Sequence, residues 1–346
     1  MKKADINSVE IARLAGVSRS TVSRVINNYA NVPPKTREKV MKVIQQYNYF
    51  PNASAQVLAG KRARTIGLFL IAPGHVSSDM LVNRMIVSVI EDVSAYGYYV
   101  LTHIIRDASD QETVRNVKEI FFQRRIDGGI FIGAANREPF IEELIAEGFI
   151  VGVVDQQHPE IPQSNRIVAN FNNDSGMKQA VAYLTGLGHT RIGVINGDMN
   201  RLSGPTKYEG FLKAMQLCGL QVNQDWVLDG SFHEESGYEA IYSFLRKNGE
   251  RPTAIIAAND SVAFGAIRAL KEHGLQVPED ISVIGFDDHA LSEKHHPPLT
   301  TIRVDFSDML KQLTSILIGK IEQPTDDVKQ ITLECSLVVR DSCRRV

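Results

Sequence analysis

The sequence is poor in cysteine and has no long uninterrupted apolar run. Its three cysteines, Cys218, Cys335 and Cys343, are scattered and form no CxxC pair, so we expect a reducing compartment and no disulfide framework. No apolar run approaches the roughly 18 residues of a membrane-spanning helix. No apolar stretch follows the charged first residues, so no signal peptide is expected. The sequence therefore predicts a cytoplasmic protein.

Motifs that would indicate catalysis are also missing. The chain has no nucleophile elbow, Walker loop, HExxH or GxGxxG segment. His295 and His296 come nearest to a metal pair, but no Cys or Asp cluster accompanies them. Asp287 and Asp288 would face opposite sides of a strand. We expect no enzymatic activity, no metal and no cofactor.

Charge is distributed unevenly along the 346 residues. The formal net charge is −2, yet residues 1–64 contain twelve Lys or Arg and only three Asp or Glu, and the rest of the chain is acidic. At roughly 150 residues per domain, the length predicts two or three domains. A basic segment on an acidic body predicts a polyanionic partner for the first segment alone.

The first fifty residues have the pattern of a helix-turn-helix. Asn7 and Glu10 predict a capping box, in which each side chain bonds to the backbone amide of the other. Gly16 ends this helix and Ser18 caps the next one, which turns Val22 and Val25 inward. Two short helices with a glycine in the turn between them are typical of this motif. A third helix is expected after Pro33 and Pro34.

The inward residues of the second helix determine which side chains point outward. These are Arg19, Ser20, Ser23 and Arg24. An arginine at the start of a recognition helix can pair with guanine in the major groove. The hydroxyls of Ser18, Thr21 and Ser23 suit contacts with phosphates.

Residues 52–61 form a short helix-prone stretch that ends at Gly60. Its Leu58 has no core to enter, and a helix this short is unstable alone in water. Two interpretations stay open from this stretch by itself, an ordinary linker or a minor-groove wedge that kinks DNA.

From Thr65 onward, apolar strand-like runs alternate with helical stretches. The strand-like runs are residues 66–71, 99–101, 129–132, 150–154, 192–195, 254–257 and 281–286, and the helical stretches include 86–96, 179–187 and 261–273. Runs that are apolar throughout predict parallel strands covered by helices on both faces. About 280 residues is long for one such sheet, so we expect two lobes.

Polar residues follow several of these strands. They are Asp155, Asn196, Asn259 with Asp260, and Asp287 with Asp288. Ligands of parallel sheets bind outside the carboxyl ends of the strands, so these residues predict a cleft for a hydroxyl-rich or heterocyclic ligand. We expect Asp260 to cap the helix that follows it.

Several segments together resemble the LacI/GalR family of bacterial transcriptional regulators. They are residues 9–27, 50–53 with Leu58, 188–192, 235–238, 258–260, 278–288 and 297–302. The resemblance covers essentially the whole chain, in unbroken order.

The resemblance implies an α/β protein with an all-helical headpiece. The helix-turn-helix headpiece would span residues 1–50, the hinge helix and linker 51–64, and a two-lobed periplasmic-binding-protein-like (type I) sensor 65–346. Lobe 1 would take about 65–166 and 296–324, and lobe 2 about 167–295 and 325–346. The chain would thus cross between the lobes near Arg166, His295 and Pro324.

The resemblance also implies partners and site residues. A homodimer would read a pseudo-palindromic operator in double-stranded DNA, and paired hinge helices would insert Leu58 into the minor groove. The implied DNA-binding residues are Ser18, Arg19, Ser20, Thr21, Ser23, Arg24, Asn27, Asn52, Ala55 and Leu58. The implied effector contacts are Arg201, Ser203, Lys207, Phe232, Asn259 and Asp287, with Asp155 nearby.

Three departures from the family pattern concern the effector. Lys207 stands where the family has an arginine, which removes a planar two-pronged contact. The loop 73–83 lacks the usual aromatic segment, and Asn172 stands where an aspartate is common. We expect a repressor with a sugar-type effector; a nucleobase or nucleoside effector, or a protein corepressor, is the alternative. A sugar-binding protein without gene control and a sugar- or nucleoside-processing enzyme are the rival functions.

Overall fold

The computed structural model describes residues 6–50, 62–72, 80–247 and 249–346. The chain divides into two compact units, Met1–Ala63 and Arg64–Val346. Within the described ranges, no helix is both long enough and apolar enough to cross a membrane.

The described part of the first unit contains three helices: α1 (Ser8–Leu14), α2 (Arg19–Ile26) and α3 (Pro34–Gln46). The turn between α1 and α2 contains Gly16 at a φ of +59°, a backbone conformation that a side chain disfavours. The apolar faces of the helices meet in a small core that contains Ile11, Val22, Val25 and Val40. The predicted helix-turn-helix is therefore present.

The N-cap of α1 contains one of the two interactions of the predicted capping box. Asn7 does accept hydrogen bonds from the amides of Val9 and Glu10, at 3.0 and 3.1 Å. The Glu10 carboxylate does not reach back to Asn7, because it pairs with the Arg13 side chain one turn further along. The i,i+3 ion pair between Glu10 and Arg13 thus replaces the predicted hydrogen bond from the Asn7 amide to the Glu10 carboxylate.

The second unit contains two six-stranded sheets, and the first of them is entirely parallel. Its strand order is β11-β5-β4-β3-β1-β2. The strands are β1 (Thr65–Ile71), β2 (Tyr99–Ile105), β3 (Gly128–Ile132), β4 (Val151–Val154), β5 (Arg166–Phe171) and β11 (Lys329–Leu333). The helices that accompany it are α4 (Met80–Ala95), α5 (Gln111–Phe122), α6 (Pro139–Ala146) and α11 (Phe306–Glu322). Apolar clusters line both faces, as the uniformly apolar runs predicted.

The second sheet has the order β12-β10-β9-β8-β6-β7, and β12 alone among its described strands is antiparallel to its neighbour. The strands are β6 (Ile192–Ile195), β7 (Val227–Leu228), β8 (Ala254–Ala257), β9 (Ser282–Asp287), β10 (Thr300–Arg303) and β12 (Ser336–Val338). The helices are α7 (Asn173–Gly186), α8 (Ser203–Leu217), α9 (Glu234–Leu245) and α10 (Asp260–Glu272). All seven predicted strand runs and all three predicted helical stretches are present.

The chain crosses between the sheets three times, but later in the sequence than expected. The strand that begins at Arg166 still pairs in the first sheet, so the first crossing follows Phe171. Strand β10 pairs in the second sheet, so the second crossing follows Arg303 instead of lying near His295. Strand β11 pairs with β5, which moves the third crossing from Pro324 to the residues after Leu333. Each expected boundary lies at or before the start of a strand, whereas the chain finishes that strand before it crosses.

Candidate functional site

The outward face of α2 presents the four residues that the sequence predicted. Arg19, Ser20, Ser23 and Arg24 are all exposed, while Val22 and Val25 on the opposite side are buried. We call these four exposed residues the reading face. Two guanidinium groups and two hydroxyls on one exposed helix face suit contact with base edges and phosphates.

The hydroxyl groups at the start of α2 bond mainly to one another. Ser18 caps the helix by accepting from the Thr21 amide at 3.1 Å, and its hydroxyl lies 2.7 Å from that of Ser20 and 2.9 Å from that of Thr21. At the other end, Asn27 donates to the Ser23 hydroxyl at 3.3 Å. These contacts fix the helix start, so Ser18 and Thr21 have a structural task besides the predicted phosphate contacts.

Sequence reasoning missed the contact between α1 and Arg19. The Arg19 Nε donates to the Ser8 Oγ at 3.1 Å, which restrains the guanidinium at the edge of the reading face. The predicted hinge residues Asn52, Ala55 and Leu58 lie outside the described residues.

All seven predicted effector residues line one cavity of about 480 Å³ in the second unit. Asp155 follows β4 of the first sheet. The other six belong to the lobe of the second sheet: Ser203 and Lys207 lie on α8, Asp287 ends β9, and the loops supply Arg201, Phe232 and Asn259. The cavity thus lies between the two lobes, and its volume suits a monosaccharide, a nucleobase or a similar small molecule.

Asp155 connects the lobes on one side of this cavity. Its carboxylate accepts a hydrogen bond from the Ser203 hydroxyl at 2.6 Å and lies 3.8 Å from the Arg201 Nε. The backbone of Asp155 adopts a φ of +60°, which turns the side chain at the strand end. The Arg201 Nε is buried and has no hydrogen-bond partner among the described residues. The rest of the guanidinium carries further N–H donors, and Arg201 lines the cavity, so it can donate to a ligand.

Lys207 is almost fully buried between the cavity and the second sheet. Its Nζ donates to the Ala258 carbonyl at 2.7 Å and lies 3.6 Å from the centroid of the Phe286 ring. Burial lowers the pKa of Lys207, and the carboxylates of Asp287 and Asp155 oppose that effect. An ammonium has three donors, so after the Ala258 contact Lys207 keeps donors for a ligand as a point charge.

Asn259 has two contacts that shape the cavity wall. Its side-chain oxygen accepts from the Val262 amide at 2.9 Å and caps α10, and its amide donates to the Phe232 carbonyl at 3.0 Å. The Phe232 ring lies 5.1 Å from the Arg201 guanidinium carbon. One asparagine therefore fixes both a helix start and an aromatic wall.

Asp260 does not cap the helix, contrary to the prediction. Asn259 occupies the cap position, and Asp260 is 1% exposed inside the second lobe. Its carboxylate accepts from the His289 amide at 2.6 Å and from the Ser292 and Thr301 hydroxyls. Burial raises the pKa of Asp260 to about 7, although the hydrogen bonds from Ser292 and Thr301 act in the opposite direction.

Several wall residues were not found by sequence reasoning. Leu81, Val82 and Met85 of α4 contribute aliphatic side chains after the loop that lacks the aromatic segment, whose residues 73–79 lie outside the described ranges. Phe171 and Phe306 supply aromatic rings from two crossings, with centroids 5.0 Å apart. Other polar wall residues outside the predicted set include Glu138, Asn170, Asp198 and Asn200. No local signal in the sequence indicates these polar wall residues, because their place in the wall depends on how the two lobes pack.

Asn172, the third departure from the family pattern, lies at the first crossing. Its side-chain oxygen caps α7 by accepting from the Ser175 amide at 3.1 Å, and its amide donates to the Glu334 carboxylate at 2.9 Å. Glu334 follows β11, so the pair connects two of the three crossings. An aspartate at position 172 would face Glu334 with a like charge.

Sequence and structure comparisons agree with this architecture. Residues 9–52 match the family described as "Bacterial regulatory proteins, lacI family", and residues 181–343 match a "Periplasmic binding protein-like domain". The "HTH-type transcriptional repressor PurR" of Haemophilus influenzae (strain PittEE) is 35% identical over 340 residues, covering 97% of this chain and 98% of the relative. The PurR repressor of Pasteurella multocida (strain Pm70) is 33% identical with the same coverage.

Solved structures are similar over the same extent. A lac repressor dimer bound to operator and the anti-inducer ONPF is 28% identical, with a TM-score of 0.82 and coverage of 98% of this chain and 99% of that chain. The complex of the transcriptional regulator CelR with cellobiose is 26% identical, with a TM-score of 0.75 and coverage of 97% and 99%. The predicted fold and family are confirmed. The chain belongs to the LacI family of bacterial regulatory proteins and is a DNA-binding transcriptional repressor of that family.

Proposed function

We propose that this repressor acts as a homodimer that reads a pseudo-palindromic operator. We also propose that a nucleobase in the cavity between its lobes controls its affinity for DNA. One observation carries the proposal: the seven residues that the family resemblance implies for the effector site line a single cavity of about 480 Å³. The protein would work by binding alone, in the cytoplasm, where its operator is accessible.

The DNA half of the proposal is supported by the reading face. Arg19 and Arg24 are exposed, and the buried apolar side of α2 fixes the direction of that face. Arginine can bond to both O6 and N7 of guanine, which gives base preference. A dimer would present two such faces to two half-sites, and a related lac repressor has been solved as a dimer bound to operator.

Two observations favour a nucleobase over a sugar, which reverses the order expected from sequence. The relatives that match this chain over nearly their whole length are named "HTH-type transcriptional repressor PurR", and that name fits a nucleobase effector better than a sugar. The wall also contains four phenylalanines, Phe171, Phe232, Phe286 and Phe306, which suit the faces of a flat ring. Arg201 and Lys207 can donate to carbonyl or ring-nitrogen acceptors, and Asp287 can accept from N–H groups.

A sugar effector is the second candidate. Structural neighbours at 26% and 28% identity have been solved with cellobiose and with ONPG. The cavity also has aspartate and asparagine side chains that could bond to hydroxyl groups. The PurR relatives are more similar in sequence, so the nucleobase is the better-supported class.

The test combines two titrations of the purified full-length protein. Calorimetry would compare guanine, hypoxanthine, adenine and uracil with glucose, galactose and cellobiose. Fluorescence anisotropy would then measure the affinity for the DNA upstream of its own gene, against a shuffled duplex of equal length, with and without each binder. We expect a purine to bind and to change the operator affinity about 5- to 150-fold, the usual range of such coupling. Binding of a sugar alone would replace the nucleobase with the second candidate, and equal affinity for both duplexes would contradict the operator-reading role.

A further inference from the structure

Glu138 lies in the wall of the cavity, at the start of a helix that it does not cap. It directly precedes α6, whose first residue is Pro139. Its side chain makes no capping hydrogen bond with that helix, because a glutamate is too long to serve well as a cap. The carboxylate is therefore not used by the local structure.

The other acidic side chains of the wall have internal contacts. Asp155 accepts from the Ser203 hydroxyl at 2.6 Å, and Asp198 accepts from the Asn200 amide at 2.9 Å. Asp287 also has an interaction within the protein. For the Glu138 carboxylate, the described part of the chain provides no hydrogen-bond donor and no cation.

Glu138 is also partly withdrawn from water. Burial raises the pKa of this carboxyl group. Water still reaches this half-buried carboxylate, so a bound molecule that displaces the water must supply donors in its place, or the acceptor is left unsatisfied. The arrangement is thus poised for a ligand with N–H groups on the side that faces the first lobe.

We propose that Glu138 selects the effector by accepting hydrogen bonds from two adjacent N–H groups at one edge of a nucleobase. This inference rests on the proposed nucleobase class. An ionised carboxylate has two acceptor oxygens and no donor. The edge of guanine that carries the ring N1–H and the exocyclic amino group supplies two matching donors. Xanthine has a carbonyl in place of the amino group, and that carbonyl would face a carboxylate oxygen.

The part of the cavity wall that the second lobe forms carries hydrogen-bond donors, which complement the acceptor Glu138 of the first lobe. Arg201 lines the cavity with a guanidinium group, and Lys207 adds a second cation from the same lobe. These donors suit the carbonyl and ring-nitrogen acceptors on the rest of a purine. A base would therefore be oriented with its N–H edge toward the first lobe and its acceptors toward the second.

The experiment is calorimetric titration of guanine, hypoxanthine and xanthine into the full-length protein and its Glu138→Gln and Glu138→Ala variants. We expect the wild type to bind guanine most tightly, hypoxanthine less tightly and xanthine at least about tenfold more weakly than guanine, because xanthine would displace water from the carboxylate and leave one of its oxygens without a donor. Glu138→Gln should weaken the binding of guanine about tenfold. It should also bring the affinities for guanine and xanthine closer together, because a carboxamide can donate to the xanthine carbonyl. Glu138→Ala should lose the preference for guanine over xanthine, but it should not bind xanthine more tightly than the wild type does.

The matched control is Glu147→Gln, an exposed glutamate just after the same helix and outside the cavity wall. It should leave all three affinities unchanged. Thermal unfolding and operator binding without ligand should be the same in all variants, which separates ligand selection from folding. If Glu138→Gln retains the wild-type ratio of guanine to xanthine, the inference fails while the proposed function stands. If the wild type binds no purine but binds a sugar, both fail.

Discussion

The reading face of α2 and the wall of the cavity are both rich in polar side chains, but they are built differently. The reading face comes from six consecutive positions of one helix, and its arginines are exposed. The wall comes from positions between Leu70 and Phe306, and several of its polar groups, among them Asp155, Lys207 and Asn259, bond to partners on other elements. We conclude that the reading face can change with little effect on folding, whereas the cavity region couples binding to stability.

The largest expected effect on stability concerns Asp260, which is buried next to the wall residue Asn259. Asp260→Ala removes the acceptor of the His289 amide and of two hydroxyls, all buried. Each buried donor left without an acceptor costs about 1–3 kcal/mol, so the free energy of unfolding in urea should fall by at least about 2 kcal/mol. Asp174→Ala, which breaks an exposed pair with Lys213, should cost less than about 1 kcal/mol. Equal losses would contradict the comparison.

The same carboxylate predicts a pH dependence. Burial raises the pKa of Asp260 from 3.8 to about 7, so between these values the folded protein binds more protons here than the unfolded chain does. This contribution to stability is complete below pH 3.8 and is lost as the pH rises to about 7. Relative to Asp260→Asn, the wild type should therefore lose free energy of unfolding from about pH 4 to about pH 7. A constant difference between the two proteins over that range would show that Asp260 does not titrate there.

On the reading face, the expected effect falls on DNA and not on folding. Arg19→Ala and Arg24→Ala should each cost about 1–3 kcal/mol of operator affinity and relax the base preference at one half-site position. Both side chains are exposed, so the unfolding midpoint should stay within experimental error. Anisotropy with single-base operator variants measures the preference. Unchanged preference in both variants would remove them from base reading, and the exposed Arg115→Ala on α5 serves as a control outside this face.

The cavity counterpart is Asp287→Ala, which should remove the effector response and leave operator binding intact. Asp287 ends β9 at a φ of +107°, a strained conformation for an aspartate, and it lines the cavity. An effector shifts operator affinity only through contacts that differ between two lobe arrangements. The ratio of operator affinities with and without guanine should therefore approach one. A retained ratio would exclude Asp287 from the response.

The two regions also differ in how far the sequence could predict them. The reading face follows from local periodicity, because inward Val22 and Val25 leave Arg19 and Arg24 outward. Strand runs and polar strand ends led to the cavity, although the family resemblance was needed to choose Phe232 or Lys207. The distinction between Asn259 and Asp260 as the cap was not accessible, since both residue types suit that position. Only the structure assigns the cap to Asn259 and the buried network to Asp260.

The lobe crossings could not be predicted for a related reason. A strand's sheet is decided by pairing with residues far away in sequence, as when Lys329 pairs beside Ile167. The family resemblance implied crossings near Arg166, His295 and Pro324, but no local signal indicates which sheet takes up the strand at or after each of these points. Glu138 was missed for the same reason, because its place in the wall depends on the other lobe.

The smallest expected effect is that of Ser8→Ala on operator affinity, and it tests whether α2 alone forms the reading face. The Ser8 hydroxyl of α1 accepts from the Arg19 Nε at 3.1 Å, so Ser8→Ala should free the guanidinium. An exposed hydrogen bond contributes little, and we expect a loss of about 0.5–1 kcal/mol in operator affinity, with no loss for Ser8→Thr, which keeps the hydroxyl. A double-mutant cycle with Arg19→Ala isolates the coupling. If Ser8→Ala has the same effect without Arg19, then Ser8 acts on DNA by itself; if its effect vanishes, Ser8 positions Arg19, and the reading face extends beyond α2.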